Sequence, residues 1–103
     1  MVKEVSTAKK WKIGPPASRF GKFFKTHKQF EKDIPEFKQD VTTDPYWHST
    51  PKKIAKLREE RHYPHGSYRW RKRQLRIFYL PIKEKWTIYL LDAATAGNIK
   101  YKK

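Results

Sequence analysis

The stretch "SYRWRKRQLRIFY", residues 67–79, alternates basic side chains with aromatic and aliphatic ones over most of its length. Alternation with a period of two is typical of a strand that buries one face. Five basic residues nevertheless fall within eight consecutive positions: Arg69, Arg71, Lys72, Arg73 and Arg76. Because like charges opposed across a sheet destabilise it, the stretch predicts paired strands whose cationic side is balanced by an external anion.

A hairpin with a two-residue loop at residues 72–73 places the apolar side chains on one face and the basic side chains on the other. It sets Arg71 opposite Gln74 and Arg69 opposite Arg76, and alternation then assigns each residue to a face. The face directed towards the rest of the protein holds Tyr68, Trp70, Leu75, Ile77 and Tyr79. The other face holds Arg69, Arg71, Gln74 and Arg76. A longer loop that shifts one strand by two residues would keep these faces.

The cationic face is rich in arginine rather than lysine. A guanidinium group binds two phosphate oxygens at once and stays charged in any environment. A basic face kept only for solubility is the alternative, but it explains poorly why Arg69 should oppose Arg76. The pattern therefore favours a phosphate-binding surface.

The charge balance supports a polyanionic partner. The formal net charge is +15, and no acidic residue lies between positions 61 and 83. Such a charge predicts strong, salt-dependent attraction to nucleic acid. A membrane surface fits less well, since the basic run is not on an amphipathic helix.

Several classes of site and location are disfavoured by composition. The chain has no cysteine, and its four histidines lack metal-ligand spacing, so we expect neither a metal nor another cofactor. No apolar run approaches the roughly 18 residues of a membrane span. The first residues lack the apolar segment of a secretory signal. We therefore expect a cytoplasmic protein that does not contact a membrane.

Apolar residues at three- and four-residue steps predict two helices before the hairpin. The stripe comprises Phe20, Phe23, Phe24, His27, Phe30, Ile34, Phe37 and Val41. Pro35 disfavours one continuous helix, so the break is expected near 27–35, with Ser18 and Asp33 as candidate caps. A short strand is expected around 11–13.

The middle of the chain predicts one more short helix and then strands. Pro51 is expected to start a helix that runs to Arg58, with Ile54 and Leu57 facing inward. Residues 63–66 read as a turn, Pro81 as the end of the second hairpin strand, and residues 85–91 as a last core strand. The fold class is α+β, with two N-terminal helices packed on one face of a small, mostly antiparallel sheet. Residues 1–8 are expected to be a flexible tail before a single domain over 9–103.

The C-terminal half resembles toxins of the RelE/ParE superfamily. The matching segments, in order, are Asp44-Pro45, "KKIAKL" at 52–57, "YRWR" at 68–71, "LRIFY" at 75–79 and "IYLLD" at 88–92. The resemblance implies a RelE-like fold and, in the ribosome-dependent branch, cleavage of mRNA without a metal. It also implies two kinds of partner: an acidic antitoxin, and the ribosome with its mRNA.

The same resemblance assigns the candidate catalytic residues and Arg73, and other basic residues of the chain complete the candidate RNA-binding set. The predicted catalytic residues are Arg69, Arg71, Arg76 and Tyr101, and the predicted RNA-binding residues are Lys72, Arg73, Lys100 and Arg61. The sequence departs from the pattern of active members at residues 93–97, where no arginine is present. His62 and His65 are further acid–base candidates, although "HYPHG" also reads as a plain turn.

Three functions remain open at this level. The first is a ribosome-dependent endoribonuclease toxin. The second is a ParE-like inhibitor of DNA gyrase, or an inactive relative, which the missing arginine favours. The third, from another class, is a basic structural protein that binds RNA or the ribosome.

Overall fold

The computed structural model describes residues 10–57 and 63–98 of the chain. Two helices, α1 (Ser18–Thr26) and α2 (Ile34–Thr43), are joined by a 3-10 turn (Lys28–Asp33). The strands within these residues are β1 (Lys12–Ile13), β2 (Ile54–Lys56), β3 (Tyr68–Lys72), β4 (Leu75–Ile82) and β5 (Thr87–Thr95).

The strands form one sheet in the order β1-β5-β4-β3-β2. Only the short β1 runs parallel to its neighbour β5, and the other described pairs are antiparallel. Apolar residues of both helices share one core with side chains from a single face of this sheet. The predicted α+β class, with two N-terminal helices on one face, is therefore confirmed.

The phenylalanine stripe forms the helical half of the core, as predicted. Phe37 and Trp70 are fully buried, and their rings meet edge to face with centroids 5.4 Å apart. Aromatic pairs of this kind add to the stability gained from burying their area. The stripe therefore attaches the helices to the sheet and leaves the opposite sheet face uncovered by them.

The two helix caps differ from the prediction. The N-cap of α1 is Ala17 rather than Ser18, which is already helical. Asp33 does occupy the N-cap position of α2, but its side chain makes no capping hydrogen bond. Its carboxylate instead lies 3.3 Å from the ammonium of Lys72. The Asp33 carboxylate therefore forms an ion pair with a residue distant in sequence and does not cap the helix.

The hairpin keeps the predicted faces but not the predicted register. Its two-residue turn is Arg73-Gln74, so Arg71 pairs with Arg76 and Arg69 pairs with Phe78. This register differs from the prediction by two residues, which leaves every side chain on its predicted side. The turn needs a left-handed residue, and Arg73 supplies it with φ of 53°.

The predicted helix over residues 51–58 is wrong. A turn precedes β2, and Lys52 within it has φ of 65°. Ile54 and Leu57 are both buried, as expected, but they join two different clusters. Their three-residue spacing imitates a helix, whereas the chain there is an extended segment at the edge of the sheet.

Pro81 does not end its strand, contrary to the prediction. β4 continues to Ile82, and Pro81 pairs with Ile88 of β5. β3 accompanies β4 only as far as Tyr79, so beyond that residue β4 has a described neighbour on one side alone. A proline lacks a backbone N–H and is tolerated where no second ladder is needed.

The segment after α2 is tied to the centre of the sheet. The hydroxyl of the buried Tyr79 donates a hydrogen bond to the carbonyl of Pro45 at 2.6 Å. Burial also raises the pKa of Tyr79, so the phenol remains a donor. The turn expected at residues 63–66 is confirmed, because Ser67 N–H donates to the Pro64 carbonyl at 3.2 Å and Gly66 has φ of 92°.

Residues 1–8, the expected tail, and the C-terminal residues 99–103 lie outside the described residues. Within the part of the chain that is described, no helix is long and apolar enough to cross a bilayer.

Candidate nucleic-acid interface

The sheet face opposite the helices carries Arg69, Arg71 and Arg76, and we refer to it as the arginine face. Arg71 and Arg76 are direct cross-strand partners, and Arg69 lies two residues before Arg71 on β3. Directly opposite residues project on the same side with Cβ atoms about 5 Å apart. The three predicted arginines are therefore brought together on one surface.

Arg69 is held by the backbone of the preceding turn. Its Nη2 donates to the carbonyl of Lys52 at 2.9 Å. Its Nε is buried and has no hydrogen-bond partner among the described residues. A buried donor left without an acceptor costs free energy, and the hydrogen bond to Lys52 is the contact that holds this guanidinium in place.

Arg76 and Arg71 differ in how they are held. Arg76 Nη1 donates to the carbonyls of Arg73 and Leu75, at 2.6 and 3.0 Å, and so braces the hairpin turn. The side chain of Arg71 makes no hydrogen bond or ion pair within residues 10–57 and 63–98. It lines a surface pocket of about 420 Å³ at the end of the hairpin.

An apolar patch lies next to the arginines. Phe78, directly opposite Arg69, is fully buried beneath Tyr63, whose ring stacks on it with centroids 4.7 Å apart. The Tyr63 hydroxyl donates to the carboxylate of Asp92 at 3.0 Å. Asp92 pairs with Phe78 across β4 and β5 and therefore lies on the arginine face.

Lys72, which was predicted to bind RNA, lies on the helix side of the sheet. Lys72 pairs with Leu75, a core residue, and its ammonium contacts the carboxylates of Glu36 and Asp33. Glu36 also binds Lys53. We call these residues, together with Asp40, the lysine network. The structure thus does not bring Lys72 together with the three arginines.

The lysine network shifts the titration of its carboxylates. Hydrogen bonds from Lys53, and then from Lys72, lower the pKa of Glu36 to about 2. Burial alone would raise the pKa of Asp40, but hydrogen bonds from Trp70, Lys53 and His48 more than offset it, and the pKa is lowered. Both carboxylates therefore remain ionised at neutral pH and balance the lysines.

The remaining predicted residues have mixed positions. Arg73 is at the hairpin turn, its side chain is 65% exposed, and its guanidinium lies 3.9 Å from Asp33. Tyr101, Lys100, Arg61 and His62 lie outside the described residues. Among the residues that are described, no group of three or more His, Asp or Glu side chains is arranged to hold a metal ion.

Sequence reasoning missed Asp92 and Tyr63 as members of this surface. Asp92 is the last residue of the "IYLLD" segment, which was already part of the resemblance. Which side of the sheet it lies on, however, depends on the strand register. A register irregularity between Phe78 and Tyr79 changes how the last strand is paired. Alternation read along the sequence cannot follow a bulge of this kind.

Comparison with solved structures identifies the fold. The chain superposes on the RelE2 toxin of the toxin–antitoxin complex RelBE2 from Mycobacterium tuberculosis with a TM-score of 0.62. The match covers 84% of this chain and 99% of that one at 18% sequence identity. No protein-family model matches the sequence, and no curated protein does. The chain therefore has a RelE-like fold.

Proposed function

We propose that this protein is the toxin of a toxin–antitoxin system and that it arrests translation by cleaving mRNA on the ribosome. The RelE-like fold supports the first part, because the similar chain belongs to a toxin–antitoxin complex. The arginine face supports the second part, because it presents clustered guanidinium groups on a surface that the helices leave open.

The observation that carries this proposal is the charge imbalance of the arginine face. Arg69 and Arg71 contact no carboxylate within residues 10–57 and 63–98. Guanidinium groups in this state are suited to an external oxyanion, which they bind through paired N–H donors. A nucleic-acid phosphate is an oxyanion that a net charge of +15 attracts, and the RelE-like fold favours RNA on the ribosome as its source.

All the heavy atoms in the products of the proposed reaction come from the RNA itself. The ribose 2′-oxygen attacks the adjacent phosphorus and loses its proton, and the bond to the 5′-oxygen of the next nucleotide breaks. The products are a 2′,3′-cyclic phosphate and a 5′-hydroxyl that takes up a proton. Arg69, Arg71 and Arg76 would stabilise the charge that develops on the phosphorane.

Proton transfer is assigned to Tyr101, as the resemblance implies. No arginine is present at residues 93–97, so Lys100 is the remaining cation proposed for that end of the site. Arg61 and Arg73 would contact the flanking RNA. No metal or other cofactor is part of this scheme.

End-mapping on programmed ribosomes tests the proposal. Purified protein is incubated with ribosomes stalled on a defined mRNA, and the RNA ends are then sequenced and tested for cyclic phosphate. We expect cleavage within the A-site codon, at least tenfold slower in the Arg71→Ala variant. The exposed Glu31→Gln variant is the matched control and should cleave as the wild type. An intact A-site codon at high protein concentration would refute cleavage.

A gyrase inhibitor is the second candidate, favoured by the absence of an arginine at residues 93–97. It predicts inhibition of DNA supercoiling at concentrations that leave ribosome-bound mRNA intact. The same supercoiling assay, run beside the end-mapping, separates the two candidates.

A structural RNA-binding protein is the candidate from another class. Trp47 is 64% exposed and Tyr46 is 41% exposed, and exposed aromatic rings stack on unpaired bases. This candidate predicts normal growth when the protein is expressed alone. A toxin instead predicts growth arrest that a co-expressed acidic antitoxin reverses. We place the toxin in the cytoplasm, where ribosomes and antitoxin are found together.

A further inference from the structure

Among the described strands, the outer edge of β5 is paired only near its start, and helix α1 begins beside the part that follows. β1 pairs with β5 only at Thr87 and Ile88. Further along, Ala17 N–H donates to the carbonyl of Leu90 at 2.8 Å, and α1 starts immediately afterwards. The first turn of α1 therefore lies beside a strand edge that no other described strand pairs with, and a long side chain there can reach around to the other face of the sheet.

The side chain of Arg19 reaches from helix α1 to the arginine face. Its Nη1 lies 3.7 Å from Oδ2 of Asp92, and its guanidinium carbon lies 5.9 Å from the centre of the Tyr63 ring. Both of these residues belong to the arginine face. A residue from the helical layer thus adds a cation to the face that the helices do not cover.

The register places Arg19 in line with the hairpin arginines. Arg69 pairs with Phe78, and Phe78 pairs with Asp92, which Arg19 approaches. Adjacent strands are about 4.8 Å apart, so the Cα atoms of Arg69 and Asp92 are separated by about 10 Å. Cations at the two ends of this line are suited to different phosphates of one strand.

The contact with Asp92 does not occupy Arg19. The two groups are beyond hydrogen-bond distance, and the Arg19 side chain is 61% exposed. Asp92 is satisfied independently, because it accepts hydrogen bonds from the Tyr63 hydroxyl and from the backbone N–H of Ala93. Arg19 offsets the charge of this carboxylate, while its own donors make no hydrogen bond to residues 10–57 or 63–98 and can therefore bind a ligand.

We propose that Arg19 is a second phosphate-binding residue, so that a single RNA strand crosses the arginine face from Arg71 to Arg19. This inference rests on the proposed RNA binding, which it extends to helix α1. The strand passes beside Tyr63, which is 6% exposed and covers the buried Phe78, and Arg19 binds a phosphate away from the one that reacts.

Salt-dependent binding to a labelled single-stranded RNA oligonucleotide tests the assignment. Each phosphate contact on a single strand contributes about 0.7 to the slope of log K against log salt. Arg19→Ala should lower the slope by about 0.7 and weaken binding about fivefold at ~0.1 M salt. Arg19→Lys should restore most of the slope. Lys25→Ala, an exposed change of equal charge on the same helix, is the matched control and should change the slope much less.

The outcomes separate this inference from the proposed function. If Arg71→Ala lowers the slope while Arg19→Ala behaves like Lys25→Ala, RNA binding stands and the role of Arg19 is overturned. If Arg19→Lys is as defective as Arg19→Ala, packing against Tyr63 explains the loss and the inference also fails. If Arg69→Ala and Arg71→Ala leave the slope unchanged, the proposed RNA-binding face is itself wrong.

Discussion

The two sides of the hairpin differ in whether their cationic side chains are paired with carboxylates. On the helix side, the ammonium of Lys72 contacts the carboxylates of Glu36 and Asp33. On the arginine face, the guanidinium of Arg71 contacts no carboxylate within residues 10–57 and 63–98. One strand therefore divides its cations between stabilising the fold and presenting charge outward. Changes on the helix side should alter stability, and changes on the arginine face should alter binding.

The largest expected effect is the loss of the aromatic anchor on the helix side. Trp70 is fully buried, and its indole N–H donates to Asp40 at 2.8 Å. Trp70→Ala should lower the free energy of unfolding by about 3–5 kcal/mol. Trp47→Ala, which removes a side chain that is 64% exposed, should change it by no more than about 0.5 kcal/mol. Guanidinium denaturation followed by circular dichroism measures both, and equal losses would contradict the assignment of the core.

Acid should destabilise the helix side next most strongly. The pKa of Glu36 falls from 4.5 to about 2 on folding, so the unfolded chain takes up a proton first as the pH drops. The stability from this ion pairing is complete above about pH 5 and is lost as the pH falls to about 2. Allowing for partial exposure, the loss is on the order of 2 kcal/mol. Urea unfolding at a series of pH values measures it.

The three arginines of the arginine face should not contribute to that acid loss, because arginine stays protonated throughout the range. Glu36→Gln should therefore flatten the stability profile below pH 5, and Arg71→Ala should leave its shape unchanged. Parallel profiles for the wild type and Glu36→Gln would show that another carboxylate is responsible.

A smaller effect is expected from removing the bridging charge at neutral pH. Glu36→Gln leaves Lys53 and Lys72 without their shared carboxylate, and should cost about 1 kcal/mol because the pairs are only partly buried. Glu31→Gln, an exposed change on the preceding 3-10 turn, serves as the control and should be near neutral. Thermal unfolding at two salt concentrations measures the difference, which should shrink as salt rises.

The smallest effect on stability is expected on the arginine face. Arg71→Ala should change the free energy of unfolding by less than about 0.5 kcal/mol. Arg76→Ala should cost about 1 kcal/mol, because two carbonyl hydrogen bonds at the turn are lost. Each should still weaken RNA binding about fivefold at ~0.1 M salt. A large fall in the melting temperature of Arg71→Ala would show that its side chain supports the core.

Alternation in the sequence was sufficient to predict the two faces of the hairpin. Tyr68, Trp70 and Tyr79 lie on the helix side and the three arginines on the other, because a two-residue change of register cannot exchange faces. The turn was not predictable, since Arg73 takes a left-handed conformation that glycine or asparagine usually signals. The predicted helix at residues 51–58 was wrong because it was inferred from only two buried residues, Ile54 and Leu57. Two such positions are compatible with a helix and also with an extended segment at the edge of a sheet.

Contacts between distant parts of the chain were beyond sequence reasoning. Glu36 meets Lys72, and Arg19 meets Asp92, only because the helices and strands are packed in three dimensions. Nothing at residues 33–36 marks these carboxylates as partners of a hairpin lysine. The prediction that Lys72 binds RNA came from its place in the basic run, whereas its actual direction depends on that packing.

The pairing of β1 with β5 joins residues that are about 75 positions apart, Lys12 with Thr87 and Ile13 with Ile88. Helix α1 also packs on β5, so the earliest described elements depend on the last strand among the described residues. Contacts of such long range slow folding, because a large loop must close before they form. A nascent chain that ends before Thr87 lacks the strand on which α1 packs, so this part of the sheet can form only after β5 has been translated.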